Sequence, residues 1–277
     1  MSIKIIGKDI TASSYWTSRD SDYGRGINTN YHAHRLSVLE HLIDCAGPKK
    51  GLCLDVGCGE GVLAEFMAKR GFEVLAYDLS EPLVDAARER LQGAGHFADI
   101  RLAGMELLAE LPSASVDIVL VANVMAYLTN AEEAFFYEHV RRVAKPGAEF
   151  IVTHSNELFD LFTLNAYTVN FFSHHLGVSK EMVSSLLVNP NLPERVTFNI
   201  RENPLSYPNK LRGLGWEEHQ QEFINLHEVP PLMMDPTHTV DLDVRSYRDT
   251  LNWPPEMRWK LMFVCSMFGS RSVRGGG

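Results

Sequence analysis

The sequence has few cysteines, no excess of basic residues and no apolar segment long enough to cross a membrane. Lysine and arginine number 26 against 35 aspartates and glutamates, so the formal net charge is -9. Because nucleic-acid-binding proteins usually present a basic surface, this balance disfavours a nucleic-acid partner. The longest apolar run, near residues 118–128, is shorter than the roughly 20 residues that span a bilayer. We therefore expect no membrane association.

The four cysteines show no CxxC spacing, and the N-terminus lacks the long apolar core of a signal peptide. Cys53 and Cys58 lie on or beside a predicted core strand. We therefore expect free thiols in a reducing environment, and a cytoplasmic protein.

The composition is that of an ordinary soluble globular protein. The 277 residues are 45% hydrophobic and 22% charged, and no internal repeat or low-complexity block interrupts them. This length accommodates one large α/β domain with a modest insertion. A monomer and a homodimer are equally compatible with the sequence.

Strands and helices alternate along most of the chain, which is typical of a doubly wound sheet. Residues 116–121 are almost continuously apolar, as expected for a strand buried on both faces. Asn130 is a suitable N-cap for a helix ending near Val143, and Lys145-Pro146-Gly147 predicts a turn before the fifth strand. We predict an α/β fold with a doubly wound, mostly parallel, seven-stranded Rossmann-like sheet. Its strands are expected at Leu52–Val56, Phe72–Tyr77, Ile100–Leu102, Val116–Val121, Ala148–His154, Trp216–Leu226 and Met262–Val273.

Two regions depart from the alternation and are expected to cover the strand ends. Residues 1–50 form an N-terminal helical segment, and residues 156–200 form a helical lid inserted after the fifth strand. Between them lies the core at 51–155, and residues 201–277 complete the sheet. The lid is rich in aromatic residues whose spacing puts several on one helical face: Phe159, Phe162, Tyr167, Phe171 and Phe172.

A glycine-rich turn, Gly57-Cys58-Gly59-Glu60-Gly61, directly follows the first strand and opens a helix that ends near Arg70. Glycine in such a turn lets the backbone approach a ligand where a side chain would block it. Asp78 ends the second strand, 21 positions after Gly57, where a carboxylate can accept hydrogen bonds from both hydroxyls of a ribose. The turn and the acid together predict an adenosine-containing ligand across the strand ends.

The glycine spacing and the acid at Asp55 favour one class of adenosine ligand. Dinucleotide-binding turns have the pattern G-x-G-x-x-G and point a helix N-terminus at a pyrophosphate. The pattern here is G-x-G-x-G, and Asp55 beside it suits a ligand that carries an ammonium and a sulfonium group. A nicotinamide or flavin ligand is the alternative.

From about residue 52 to residue 154 the sequence resembles the class I S-adenosylmethionine-dependent methyltransferases, whose first motif is similar to Leu54-Asp55-Val56-Gly57-Cys58-Gly59-Glu60-Gly61. The resemblance implies S-adenosyl-L-methionine as methyl donor and S-adenosyl-L-homocysteine as product. It also implies that Asp55 and the glycine turn hold the methionine half, that Asp78 holds the ribose, and that Leu79 packs on the adenine.

Beyond these motifs the resemblance is weaker. Met105 stands where the family often has an adenine-binding acid, so Glu106 is the candidate for that role, and Asn123 matches a position that lines the cleft. The donor site implied by the resemblance comprises Asp55, Gly57, Cys58, Gly59, Gly61, Asp78, Leu79, Met105, Glu106 and Asn123.

Methyl transfer from a sulfonium is an in-line displacement with a neutral leaving group, so positioning supplies most of the acceleration and no metal is required. A general base matters only when the acceptor is protonated at neutral pH. The candidate catalytic residues are His154, at the end of the fifth strand, and Tyr127, after the fourth. For each of them a purely structural role is the alternative. Further histidines near the expected cleft or lid are His32, His34, His174 and His175.

A lid over the cleft would exclude water and enclose a small acceptor. Residues 230–234 are a candidate second wall. We therefore predict methylation of an oxygen or nitrogen of a small molecule, in specialised metabolism or cofactor biosynthesis by analogy with the family. The alternatives are a protein or RNA methyltransferase, a protein that binds the nucleoside without transferring methyl, and a nicotinamide oxidoreductase.

Overall fold

The computed structural model describes residues 30–162, 171, 173–179, 181–182, 200–227 and 249–276. The helices in this part of the chain are α1 (Asn30–Asp44), α2 (Val62–Lys69), α3 (Glu81–Gly93), α4 (Leu107–Glu110), α5 (Asn130–Val143), α6 (Glu157–Phe162), α7 (Tyr207–Gly213) and α8 (Leu261–Val264). The strands are β1 (Leu52–Val56), β2 (Glu73–Asp78), β3 (Asp99–Leu102), β4 (Val116–Val121), β5 (Ala144–Ser155), β6 (Trp216–Leu226) and β7 (Cys265–Arg274). Short 3-10 helices lie at Met125–Tyr127, Asp249–Asn252 and Pro255–Lys260.

The seven strands form one sheet in the order β3-β2-β1-β4-β5-β7-β6. The first five strands pair in parallel, and β7 runs antiparallel to both β5 and β6. The predicted doubly wound, mostly parallel, seven-stranded α/β fold is therefore confirmed. The strand order reverses between β1 and β4, and ligands bind in sheets of this kind outside the carboxyl ends of the strands at such a reversal.

Helices cover both faces of the sheet and enclose two apolar cores. In β4, Val119 and Val121 point into a core shared with α5 and α7, whereas Ile118 and Leu120 point into a core shared with α1, α2 and α3. Successive side chains of a strand point to opposite faces, so burial on both faces requires a continuously apolar strand.

Helix α5 begins with a capping box one residue earlier than expected. Thr129 Oγ1 accepts from the Glu132 N–H at 3.2 Å, and Glu132 Oε2 accepts from the Thr129 N–H at 2.7 Å. This reciprocal pair satisfies two backbone donors that the helix itself leaves unpaired. The expected cap at Asn130 is wrong by one residue, because Asn130 is already helical.

The late strands also differ in their bounds from the sequence expectation. Strand β5 begins at Ala144, which pairs with Val116. The next pair is Ile118 with Glu149, so residues 145–148 interrupt the ladder at the position where a turn was expected. Strand β7 begins only at Cys265, because the three residues before it belong to helix α8.

Two covering segments are described in part. Helix α1 packs against β5, β6 and β7, and α6 begins the segment predicted to form a lid. Of the aromatic residues predicted for the lid, Phe159 is buried and Phe162 is exposed. Tyr167 and Phe172 lie outside the described residues, as do residues 1–29 and the candidate wall at 230–234.

Candidate functional site

The glycine turn after β1 is held by the neighbouring strand. The N–H groups of Gly57 and Cys58 both donate to the carbonyl oxygen of Tyr77 on β2, at 2.9 and 3.0 Å. Gly57 has a φ of 67°, and a Cβ at this position would lie 2.4 Å from Cγ2 of Val124. Glycine therefore lets the turn pass close to the segment that follows β4.

The next two glycines of the turn differ in what surrounds them. Gly59 has a φ of 53°, and a Cβ there would meet no heavy atom within 4 Å in the described part of the chain. At Gly61, by contrast, a Cβ would lie 2.9 Å from Cβ of Ala87 on α3. Gly59 thus leaves room for a ligand, whereas Gly61 allows two helices to pack closely.

A cavity of about 490 Å³ lies at the carboxyl ends of β1, β2 and β4 and is mainly apolar. Its wall brings together most of the predicted site residues, which the sequence scatters over seventy positions or so. The predicted residues that line it are Gly57, Gly59, Asp78, Leu79, Met105, Glu106, Asn123 and Tyr127.

Asp78 is the carboxylate at the centre of this wall. Its Oδ2 accepts from the Gly59 N–H at 2.9 Å, and its Oδ1 accepts from the Ser80 N–H at 3.0 Å. Burial raises the pKa of Asp78 above its ordinary value, and the backbone donors oppose that rise. Each carboxylate oxygen has a second lone pair, so a vicinal diol can donate to both oxygens while the backbone holds them in place.

One end of the cavity combines two apolar side chains with a carboxylate. Leu79 follows β2, and Met105 and Glu106 follow β3. Glu106 folds back over Gly104, because its Oε1 accepts from the Gly104 N–H at 2.8 Å. Such a wall suits a flat heterocycle that packs between apolar groups and presents an amino group at its edge.

A smaller cavity of about 70 Å³ shares Gly57, Gly59 and Ala122 with the larger one. Asp55 and Cys58 line it from the sheet side. The residues that line it from helix α1 are His32, Arg35, Leu36 and Leu39. The N-terminal helix therefore forms one wall of the site, next to the glycine turn.

Asp55 is a buried carboxylate with an unsatisfied oxygen. It is 1% exposed, and its Oδ2 has no hydrogen-bond partner among the described residues. Burial, and next the charge of Asp78, raise the pKa of Asp55 to about 7. Burial and the charge of Asp55 also raise the pKa of the Cys58 thiol well above its usual value, so that this thiol stays neutral. A cationic ligand group beside Asp55 would remove much of the cost of burying it.

The segment after β4 contributes Asn123 and Tyr127. Asn123 has a φ of 61°, and its N–H donates to Oγ1 of Thr153 at 2.8 Å. Tyr127 lies in the 3-10 helix that follows and is 8% exposed. Both residues border the larger cavity.

His154 lies in the core of the protein, away from the two cavities. Its ring packs 4.4 Å from that of Tyr207 and 5.3 Å from that of Phe268, and it is 1% exposed. It is not among the described residues that line either cavity. Burial, and secondarily the charge of Lys210, lower its pKa well below the ordinary value, so the ring is neutral. The structure thus does not bring His154 together with the other predicted residues.

The other candidate histidines lie in three different places. His32 lines the smaller cavity. His34 is buried, where its Nδ1 accepts from the Asn225 N–H at 3.1 Å and its Nε2 lies 2.9 Å from Oγ1 of Thr250. His174 and His175 are exposed, with ring centroids 4.7 Å apart.

The site also contains residues that the sequence reasoning missed. Arg35 lies three positions after His32, so helical spacing alone could have paired them on one face. Tyr77, which lines the larger cavity, precedes Asp78 on β2, and no polar pattern marks it.

No helix among the described residues is both long enough and apolar enough to cross a bilayer. In the same residues, no group of three or more histidine, cysteine, aspartate or glutamate side chains is arranged to hold a metal ion.

Comparison with known proteins identifies a methyltransferase domain in this chain. A family profile described as a methyltransferase domain matches residues 54–152. A ubiquinone biosynthesis O-methyltransferase of Azoarcus sp. (strain BH72) is 34% identical over 128 residues, which cover 46% of this chain and 53% of that protein. The enzyme of the same name from Sinorhizobium fredii is 36% identical over 127 residues, covering 46% and 48%. The chain thus spans about half the length of these curated relatives.

Solved structures show the same fold at low sequence identity. A SAM-dependent methyltransferase from Archaeoglobus fulgidus aligns with a TM-score of 0.55 and 17% identity, covering 92% of this chain and 100% of that one. A magnesium protoporphyrin IX methyltransferase from Synechocystis PCC 6803, with bound SAH, aligns with a TM-score of 0.53 and 17% identity, covering 94% and 90%.

The profile match begins within β1 and ends within β5, and it therefore includes the glycine turn, Asp55 and Asp78. The sheet order, the two joined cavities and the matched segment agree with one another. Residues 54–152 are therefore a methyltransferase domain of the class I type, whose cofactor is S-adenosyl-L-methionine.

Proposed function

We propose that this protein transfers the methyl group of S-adenosyl-L-methionine to an oxygen or nitrogen atom of a small molecule. The observation that carries the donor assignment is Asp55, whose buried Oδ2 has no partner among the described residues. An ammonium group supplies that partner, whereas a pyrophosphate would add negative charge beside a buried carboxylate. This contrast favours the sulfonium donor over a nicotinamide or flavin dinucleotide.

Each part of the donor has matching residues in the two cavities. In the proposed complex, Asp55 and the glycine turn hold the methionine half, with Cys58 as a neutral wall. Asp78 accepts from both ribose hydroxyls. Leu79 and Met105 flank the adenine, and Glu106 accepts from its amino group.

The chain contributes positioning to the reaction. The bound donor supplies an electrophilic methyl carbon and a neutral thioether leaving group. As the acceptor atom forms its bond to that carbon, the carbon–sulfur bond breaks and the acceptor loses its proton. We propose that Tyr127 orients the acceptor by a hydrogen bond and that the acceptor proton passes to the solvent, because Tyr127 borders the cavity and His154 lies in the core.

Two observations support a small molecule as the methyl acceptor. The relatives from Azoarcus and Sinorhizobium are named O-methyltransferases of ubiquinone biosynthesis, which is the chemistry of a small molecule. The net charge of -9 argues against a nucleic-acid acceptor. We accordingly propose a cytoplasmic enzyme with a small-molecule partner, with a protein or RNA methyltransferase as the alternative.

The first test is isothermal titration of the full chain with S-adenosylhomocysteine, with NAD as the control. Micromolar binding of the first ligand and none of the second is expected. Binding of NAD alone would contradict the proposal.

The acceptor is then sought with radiolabelled donor against phenols, catechols, amines and carboxylic acids, with tRNA and bulk protein as separate arms. Label confined to either macromolecule would replace the small-molecule assignment.

A further inference from the structure

The two ends of the segment predicted as a lid meet beside the end of β5. Glu202, which follows the expected end of that segment, forms a parallel bridge with Asn156. The Glu202 N–H donates to the Ser155 carbonyl oxygen at 3.0 Å, and the Glu157 N–H donates to the Glu202 carbonyl oxygen at 3.0 Å. We call residues 200–202 the return segment, and these backbone bonds attach it to the sheet.

The return segment also contacts the 3-10 helix that carries Tyr127. The Ile200 N–H donates to the carbonyl oxygen of Ala126 at 3.4 Å, which is a long hydrogen bond to the residue before Tyr127. The side chain of Ile200 is buried in the same apolar core as Tyr127. A displacement of the return segment would therefore reach the wall of the larger cavity at Tyr127.

A single ammonium group ties the return segment to helix α5. Nζ of Lys210, on helix α7, donates to Oε1 of Glu133 on α5 at 2.6 Å and to Oε1 of Glu202. The side chains of Glu202 and Glu133 are only 9% and 15% exposed. Two largely buried carboxylates therefore depend on one cation, and without it each would face a like charge in a poorly solvated place.

The ammonium of Lys210 is charged and held in this position. Burial lowers the pKa of Lys210, but the charges of Glu202 and Glu133 outweigh burial and raise this pKa above the ordinary value. Nζ of Lys210 also lies 5.5 Å from the ring centroid of Tyr137 on α5, within the range of a cation–π contact. Both carboxylates and an aromatic ring thus stabilise the ammonium between α5 and the return segment.

Tyr127 lies in the chain between the two points that Lys210 joins. Ala126, the residue before it, is bonded to the return segment, and Glu133 lies in the first turn of α5, which follows. We propose that Lys210 is a positioning residue, which holds the return segment against α5 and thereby fixes Tyr127 at the wall of the larger cavity. This inference rests on the proposed function, in which Tyr127 orients the acceptor. Lys210 itself is not among the described residues that line either cavity, so it acts only through its neighbours.

Hydrogen exchange tests this link without an acceptor. Mass spectrometry at single-residue resolution measures exchange of the Ile200 and Tyr127 amides, which are both hydrogen-bonded in the full chain. The proteins are the wild type, Lys210→Met, Lys210→Arg and Lys145→Met. Lys145 is a matched control, because it also pairs with a carboxylate, that of Asp117, and lines neither cavity in the described part of the chain. Circular dichroism establishes that each variant is folded, and titration with S-adenosylhomocysteine reports on the donor site.

We expect Lys210→Met to speed exchange of the Ile200 and Tyr127 amides by about tenfold or more, because a charge-assisted contact that holds them is lost. Lys210→Arg keeps a cation and should restore most of the protection, whereas Lys145→Met should match the wild type at both amides. S-adenosylhomocysteine should bind every variant within about twofold of the wild type, because the donor residues are unchanged. Unchanged exchange at Tyr127 in Lys210→Met, or an equal increase along the whole chain, would overturn the proposal.

Kinetics with the acceptor found by screening separates positioning from a general loss of stability. Lys210→Met should lower kcat by about tenfold, and in a Tyr127→Phe background it should lower kcat by less than about twofold further. The reason is that the route from Lys210 to the acceptor is already lost in Tyr127→Phe. Losses that multiply would show that Lys210 acts independently of Tyr127, and the positioning role would be rejected.

A further variant keeps the test decisive if Lys210→Met does not fold. Combining Lys210→Met with Glu133→Gln and Glu202→Gln removes the three charges together, so that none stays buried without a partner. The same exchange criteria then apply to Tyr127. A wild type that does not bind S-adenosylhomocysteine would reject the proposed function, whereas the exchange data would still decide whether Lys210 holds Tyr127 in place.

Discussion

The backbone N–H of Asn123 donates to Oγ1 of Thr153 at 2.8 Å, joining the exit of β4 to the end of β5. This bond holds Asn123 at a φ of 61°, a region that residues other than glycine adopt infrequently. A side-chain acceptor on one strand thus stabilises an unusual backbone conformation on the next, at the edge of the larger cavity.

Thr153→Val should therefore destabilise the protein. Thr153 is 1% exposed, so the substitution removes a buried acceptor of the Asn123 N–H. We expect a loss of about 1–3 kcal/mol in the free energy of unfolding, measured by urea denaturation. Thr153→Ser keeps the oxygen and should retain most of the stability. Equal stability of Thr153→Val and wild type would show that the bond contributes little.

Asp78→Asn should weaken donor binding without unfolding the protein. The amide keeps the shape of the side chain but removes the charge that would strengthen two ribose hydrogen bonds, and its NH2 group replaces one of the two oxygens that accept from Gly59 and Ser80. A loss of about 1.5–3 kcal/mol in binding free energy is expected from titration with S-adenosylhomocysteine. Asp99→Asn is the matched control, since Asp99 is exposed and pairs with Arg101. An unaltered affinity in Asp78→Asn would remove Asp78 from the ribose site.

Donor affinity should depend on pH through Asp55. Its pKa in the free protein is about 7, against an ordinary 3.8, so below pH 7 the carboxyl group holds a proton. An ammonium ligand requires the carboxylate, and binding must then release that proton. We expect the affinity for S-adenosylhomocysteine to fall by up to about tenfold for each pH unit below 7.

The same shift has a definite sign for stability. The unfolded chain releases the Asp55 proton near pH 3.8 and the folded chain only near 7. The contribution of the protonated carboxyl group to the free energy of unfolding is therefore fully present below pH 3.8 and is lost as the pH rises to 7. Asp55→Asn should remove both effects. Thermal denaturation with and without ligand, from pH 5.5 to 7.5, measures them. A ligand-induced shift in Tm that is constant over this range in the wild type would argue against Asp55 as the ammonium site.

Two alanine substitutions in the glycine turn should have different consequences. Gly59→Ala places a methyl group in open space, so it should cost about 1–2 kcal/mol for the left-handed backbone and block the ligand. Gly57→Ala adds a 2.4 Å clash with Val124 and should lose more stability. Parallel unfolding and titration measurements test this. Full donor binding by Gly59→Ala would show that the ligand does not approach the turn there.

The two candidate catalytic residues can be separated by matched variants. Tyr127→Phe removes a hydroxyl beside the cavity and should lower kcat by about tenfold or more with little change in donor affinity. His154→Gln alters a side chain in the core and should affect stability more than kcat. Steady-state kinetics with the acceptor found by screening decides between them. A normal kcat in Tyr127→Phe, with a large loss in His154→Gln, would reverse the assignment.

The sheet and the glycine turn were predictable because their signals are local. An apolar strand, a run of glycines and an acid at the end of the next strand occupy fixed places in one β-α-β unit, so Gly57 and Asp78 are placed by chain order alone. His154 shows how such reasoning fails. It lies one residue before the end of β5. Successive strand residues point to opposite faces, and His154 shares the face of Phe150 and Val152. Its ring therefore enters the core, and the neighbouring Thr153 supports the site instead.

The sequence by itself determined the segment that we propose to bind the donor: the β1 strand, the turn, Asp55 beside it and Asp78 on β2. These features lie within one short segment, where backbone geometry limits the alternatives. Only the tertiary structure decided that Arg35 lines the smaller cavity together with Asp55. Helix α1 is separated from the turn by the connection into β1, and its docking depends on burial against the sheet and on His34, which bonds to β6 far along the chain. Contacts of that kind depend on the packing of whole elements, and no local pattern specifies them.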